Sequence, residues 1–174
     1  MVSSTKPLVV LGIDPGLSRC GYGVVEASKG GQMAQMGARL LAGGILTTTP
    51  DWTLGERLSI FLGDVGELLD EFKPDVVAIE RILFRKNAKT AFSVGQAVGL
   101  VHMATYQRSV TVVEYSAAEV KLAVAGHGSA TKFQVQRMIQ LIANLDYIPS
   151  PPDVADAIAL GLCHLAKVRG GRSS

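Results

Sequence analysis

The sequence predicts a three-layer domain of the α/β or α+β class, and three observations carry that expectation. Three strand-like runs come first, joined by short turns, and helical and strand-like stretches alternate after them. The 174 residues are 48% hydrophobic and 18% charged. An ordinary globular chain carries about 25% charged residues, so a sizeable core is available and disorder is not expected. With no repeat, low-complexity tract or interdomain linker, a single domain over residues 1–174 is expected, with a flexible basic tail from about Arg169.

Each element has a local cause. Leu8 to Ile13 is a continuous apolar run that stops at the turn signal Asp14-Pro15-Gly16, and Gly21 to Ala27 resumes with Tyr-Gly-Val-Val. A third strand is expected within Met33 to Thr49, separated from the second by Gly30-Gly31, so the three form an antiparallel meander. Leu54, Leu58, Phe61, Leu62, Val65, Leu68, Leu69 and Phe72 recur with helical period and stop before Pro74. Gly63 and Gly66 weaken this helix by about 1 kcal/mol each relative to Ala. Asp75 to Glu80 reads as a buried strand that finishes on a carboxylate. A helix at Ala88 to Gln107, a strand at Thr111 to Tyr115 and helices at Ser116 to Ala125 and Thr131 to Ala143 follow, the last two parted by Gly126-His127-Gly128. A final helix runs from about Asp153 to Val168, after Pro149-Ser150-Pro151-Pro152.

Composition narrows the function classes. Cys20 and Cys163 stand too far apart for a disulfide framework or a CxxC zinc site, which fits a reducing, cytoplasmic setting. The N-terminal residues lack the apolar stretch of a signal peptide. The longest uncharged run, Thr90 to Gln107, includes Ser93, Gln96 and His102, too polar for a span of about 20 apolar residues, so no membrane partner is expected.

The net charge of +2 hides an asymmetry. Residues 1–80 hold 6 basic and 10 acidic residues, whereas residues 81–152 hold 8 basic and 3 acidic. Between Arg81 and Val113 there is no acid, while Arg81, Arg85, Lys86, Lys89 and Arg108 are basic. Such a stretch can hold a polyanion or form a solvated basic surface without a partner.

Four acids stand at element ends. Asp14 closes the first strand, Glu80 closes the fourth, and Asp153 and Asp156 share one face of the last helix at a spacing of three. Asp14 also suits a turn, and Asp153 suits a helix start capped by Ser150, where it complements the dipole. That account does not reach Asp156, one turn deeper, and a half-buried Glu80 at the end of an apolar strand is costly without a role. If the first and fourth strands are neighbours and the last helix packs beside them, the four carboxylates meet. Like charges about 4 Å apart cost up to roughly 4 kcal/mol per pair at an effective dielectric near 20, so a cation is required. All-oxygen ligation selects Mg²⁺ or Mn²⁺ over Zn²⁺. Two such ions about 3.5 to 4 Å apart activate a water and stabilise the leaving oxygen of a phosphodiester. Acids beside a basic flank follow the logic of a nuclease.

The ordered set Gly12-Ile13-Asp14-Pro15-Gly16, Gly21-Tyr22-Gly23, Ala78-Ile79-Glu80, Lys86-Asn87, Gly95-Gln96-Ala97, Val120-Lys121, Gly126-His127-Gly128-Ser129-Ala130-Thr131-Lys132 and Asp153-Val154-Ala155-Asp156-Ala157 resembles the RuvC family of bacterial Holliday junction resolvases along nearly the whole chain. The resemblance implies an α/β ribonuclease H-like fold with a mixed five-stranded sheet flanked by helices. It also implies a homodimer, paired symmetric nicks at a four-way DNA junction, Mg²⁺ at two ions per site with Mn²⁺ as substitute, and RuvA and RuvB as partners. Asp14, Glu80, Asp153 and Asp156 match the family's metal-binding catalytic acids, the position of Asp153 being a histidine in some members. Lys121 and Lys132 match lysines that serve catalysis and the DNA backbone, and Arg85, Lys86 and Lys89 extend the expected DNA surface. The family's stacking aromatic three residues past the glutamate is here Leu83, with Phe84 next. Either Phe84 substitutes for it or base contact is weaker.

Other readings compete with this one. Asp14-Pro15-Gly16-Leu17-Ser18 is similar to the first phosphate loop of sugar kinases and actin, which duplicate this fold where 174 residues supply one copy. A YqgF-like nuclease shares the core. Ser116 to Ala143 reads as a helix-turn-helix of a non-catalytic DNA-binding module, with His127 in its turn. Small residues along Ala88 to Gln107 suit core packing and a subunit contact equally.

Overall fold

The computed structural model describes residues 6–27, 37–81 and 88–171. Its strands are β1 (Val9–Asp14), β2 (Arg19–Ala27), β3 (Ala38–Thr47), β4 (Val76–Glu80) and β5 (Thr111–Tyr115). Its helices are α1 (Leu54–Phe72), α2 (Ala88–Tyr106), α3 (Ala117–Ala125), α4 (Lys132–Ile142) and α5 (Pro152–Gly170). One mixed sheet has the order β3-β2-β1-β4-β5, antiparallel from β3 to β1 and parallel from β1 to β5. The meander and the adjacency of first and fourth strands therefore appear as the sequence leads one to expect. The Gly30-Gly31 turn lies outside the described residues.

The inner strands β1, β2 and β4 are largely buried on both faces, and strand alternation assigns each residue to one of them. Val9, Leu11, Ile13, Val77 and Ile79 pack with Phe61 and Val65 of α1 and with Ala97 and Val101 of α2. Val10, Ala78 and Tyr115 pack on the other side with α3, α4 and α5. Asp14 and Glu80 are in phase with Val10 and Ala78, so both point to the face that carries α5.

Helix α5 lies against the sheet more closely than most side chains permit. A methyl group at Gly12 would collide with the carbonyl oxygen of Ala157, and one at Gly21 with that of Asp153. From Val154 to Leu165 every residue of α5 is buried except Asp156, because α3 and α4 cover its outer side. A helix buried all round explains why this segment reads as apolar without a clear periodic face.

The start of α5 differs from the expected one. Pro151, not Ser150, is the N-cap of α5 and makes no side-chain capping bond, because the helix begins at Pro152. Helix α5 runs to Gly170, two residues beyond the end expected at Val168, and Arg169 donates to the Gly37 carbonyl at 3.1 Å. The helix pair α3 and α4 packs into the core through Val120, Val124, Val135 and Ile139. Despite Gly63 and Gly66, α1 is one continuous helix, secured by a capping box between Thr53 and Glu56.

Candidate active site

The site forms where parallel strands β1 and β4 end. Asp14 is the register partner of Gly21, and Ile13 pairs with Ile79, which brings Asp14 and Glu80 to the same edge of the sheet. Because Gly21 has no side chain, the first turn of α5 settles over it and carries Asp153 and Asp156 to this edge.

Cations flank the acids on two sides. The Nζ of Lys132 lies 3.1 Å from Oδ2 of Asp156, placed there because the Thr131 capping box starts α4 at Lys132. On the opposite side, Nε of Arg19 lies 2.6 Å from Oδ2 of Asp153. Lys121, on α3, faces Glu80, Lys132 and Asp156 across a cleft of about 280 Å³ floored by Val120, Val135 and Leu160. The Ser116 and Glu119 capping box begins α3, and Lys167 of α5 grips Glu119 at 2.6 Å, which ties the helix of Lys121 to the helix of the two aspartates.

Electrostatics single out Asp14. Burial first, then the charges of Asp156, Glu80 and Asp153, push its carboxyl up to about 7, with Lys132 opposing. Lys132 in turn is held above the usual lysine range by its hydrogen bond and charge pairing with Asp156. Glu80, expected to be half-buried, is exposed, because the cleft opens beyond the end of β4, and the cost of burial falls on Asp14 instead.

Among the described residues, no three metal-ligating side chains converge closely enough to hold an ion as they stand. The donor chemistry nevertheless suits a hard divalent cation, since burial and then the charges of the neighbouring carboxylates raise the Asp14 pKa, and a cation offsets both. Arg19 and Lys132 each engage one of the carboxylates.

Of the expected DNA-contacting residues, Lys121 and Lys132 border the cleft. Leu83, Phe84, Arg85 and Lys86 lie outside the described residues, and of Lys89 only its place in the first turn of α2 is described. His127 stays in the exposed turn, with Nδ1 3.3 Å from Ser129 Oγ. Arg19 was not singled out by the sequence reading. The signal was present, because Arg19, Gly21 and Gly23 alternate along β2 and both glycines mark the face that meets α5.

Comparison with known proteins identifies the family. The family model described as "Crossover junction endodeoxyribonuclease RuvC" matches residues 10–164. A protein of that name from Natranaerobius thermophilus is 43% identical over 157 residues, which is 90% of this chain and 94% of the relative. The RuvC of Thermus thermophilus solved in complex with Holliday junction substrate superposes with a TM-score of 0.87 at 40% identity, covering 94% of this chain and 96% of that one. The yeast mitochondrial Holliday junction resolvase matches with a TM-score of 0.66 at 14% identity over 98% of this chain and 85% of its own, which shows a shared fold. Fold, element order and sequence agree along nearly the whole chain, which belongs to the RuvC family of crossover junction endodeoxyribonucleases.

Proposed function

We propose that this chain resolves four-way DNA junctions by hydrolysing phosphodiester bonds at the edge of the sheet where β1 and β4 end. The observation that carries this reading is that Asp14 and Glu80, on neighbouring parallel strands, face the aspartates of α5 beside a lysine-bordered cleft. Nucleases of the RuvC family are metal-dependent. In this chain Asp14, Glu80, Asp153 and Asp156 would hold two Mg²⁺, with Mn²⁺ as a substitute. Bound there, the ions supply an activated water and stabilise charge on the leaving oxygen.

The protein's own groups do the rest. Lys132 and Lys121 neutralise phosphate oxygens of the strand in the cleft, so the backbone can approach four carboxylates without net repulsion. Glu80 closes a strand fixed on both sides, by β1 and β5, which holds its carboxylate in place while the substrate enters. The Lys167 and Glu119 pair keeps α3 in register with α5.

A homodimer presents two such sites to two strands of like polarity. Support comes from α2, which divides its small residues between two tasks. Ala97 and Ala104 are fully buried within the protomer, whereas Gly95 and Gly99 face open space, and Phe92 and Tyr106 are 69% and 87% exposed. Among the described residues no helix is long and apolar enough to cross a membrane. Family membership supports an enzyme of recombination and repair that works in the cytoplasm with RuvA and RuvB. Neither a YqgF-like nuclease nor a binding module is favoured, since the family match spans residues 10–164.

The test is purified protein on a synthetic mobile junction with Mg²⁺, Mn²⁺ or chelator. Paired symmetric nicks with either metal and none with chelator are expected. Junction binding without nicking under every condition would overturn the reading.

A further inference from the structure

Arg19 reaches the acids from the side opposite the two lysines. It opens β2 on the same face as Gly21 and Gly23, the residues that let α5 descend, so its side chain meets the first turn of that helix at Asp153. The pair is short at 2.6 Å, yet the side chains are 50% and 34% exposed, which leaves the attraction screened by water and open to exchange. Lys132 pairs with the other aspartate of α5, Asp156, at 3.1 Å.

A guanidinium on Asp153 and a divalent cation on the same carboxylate repel one another. We propose that Arg19 is an exchangeable counter-ion of this site: it holds Asp153 while the metal is absent, yields that carboxylate when a divalent cation enters, and then meets a phosphate of the bound strand. The proposal rests on the reading of Asp153 as a metal ligand. It gives the acidic cleft a cation on both flanks, with Lys121 and Lys132 on one and Arg19 on the other, so a strand crossing the carboxylates is neutralised along both edges. Arginine suits this double role because its planar fork matches carboxylate and phosphate alike.

The experiment compares the parent with Arg19→Gln and the charge-conserving Arg19→Lys. In calorimetric titration with Mn²⁺ and no DNA, Arg19→Gln is expected to bind the ion roughly three- to tenfold more tightly than the parent, with Arg19→Lys near the parent. Junction binding is then measured in chelator and in Ca²⁺, an oxygen-seeking cation of the same charge. Arg19→Gln should match the parent in chelator, where Arg19 is occupied by Asp153, and bind roughly three- to tenfold more weakly in Ca²⁺. Unchanged or weaker Mn²⁺ binding by Arg19→Gln overturns the proposal, since a residue that merely orients Asp153 would help the metal. An equal loss of junction binding in chelator and Ca²⁺ also overturns it, by making Arg19 a permanent phosphate contact. If the parent itself takes up no Mn²⁺, the metal reading of the four acids fails and the exchange fails with it.

Discussion

Gly21 lies directly beneath Asp153, so close that a single added methyl group would overlap the aspartate's backbone carbonyl. This contact transmits the position of β2 to the acidic end of α5. Gly21→Ala is therefore expected to lift the first turn of α5, lowering stability by at least about 1 to 3 kcal/mol and abolishing nicking. Gly63→Ala, on α1 where a methyl group meets open space, is expected to raise stability by about 0.5 to 1 kcal/mol and leave nicking intact. Thermal melts and a junction-nicking assay on both variants check the contrast, and equal behaviour would remove close packing as the cause.

Asp14→Asn, Glu80→Gln and Asp156→Asn are each expected to lose cleavage by at least about a hundredfold while still binding the junction, because a metal ligand is lost and the basic surface is kept. Asp14→Asn should also stabilise the metal-free protein, since its carboxylate is the one that burial and neighbouring charge disfavour. Nicking retained by any of the three would take that residue out of the metal site.

Much of this site was legible because strand alternation and helix spacing are local properties. Asp14 and Glu80 each end an apolar run, and a spacing of three on one helix places Asp153 and Asp156 together. Burial was not legible in the same way. Glu80 and Asp14 look alike in sequence, yet the cleft opens at one and the descent of α5 closes over the other. Arg19 escaped notice for a related reason. Its partner lies 134 residues away, and only the close contact of Gly21 with α5 brings the two together. Pro151 displaced Ser150 as the cap because two prolines in succession already fix the entry to α5, so the serine hydroxyl is not needed.

Lys132→Ala is expected to weaken junction binding and to reduce the slope of log affinity against log salt by about 1, as one phosphate contact is lost. Lys121→Ala, across the same cleft, should behave similarly. Lys132→Ala carries a second effect, because the Lys132 charge opposes the rise at Asp14 and its loss pushes that carboxyl higher. Binding titrations at several salt concentrations decide the matter, and a slope unchanged by both substitutions would mean that the cleft does not hold the backbone.

Leu83 and Phe84 follow Glu80 in the sequence where the family resemblance implies an aromatic that stacks on DNA bases. Base stacking on an aromatic face is worth about 1 to 3 kcal/mol, and leucine offers a wedge without a π-face. Phe84→Ala is expected to reduce cleavage at the preferred sequence with little change in melting temperature, while Leu83→Phe raises it. Cleavage by Phe84→Ala at the parent's rate, or unfolding of that variant, would refute this.

In the metal-free protein Asp14 contributes a loss of stability as pH rises between about 4 and 7, opposite in sign to the contribution of a paired carboxylate such as Glu119. Asp14 titrates near 3.8 when unfolded and at about 7 when folded, so across that interval the folded state binds the extra proton. Stability falls with pH wherever the folded state is the more protonated one. Below the lower value both states are protonated and the carboxyl costs nothing, and above the upper value both are ionised and the full cost is present. For a coupled group this amounts to a loss on the order of 1 to 4 kcal/mol. A divalent cation among the acids would stabilise the ionised carboxylate and remove the slope. Thermal melts across this range, with chelator and with Mg²⁺, are expected to diverge as pH rises, and Asp14→Asn in chelator should lack the downward contribution of this carboxyl. Parallel profiles for parent and Asp14→Asn in chelator would show that this carboxyl is not the one strained by its surroundings.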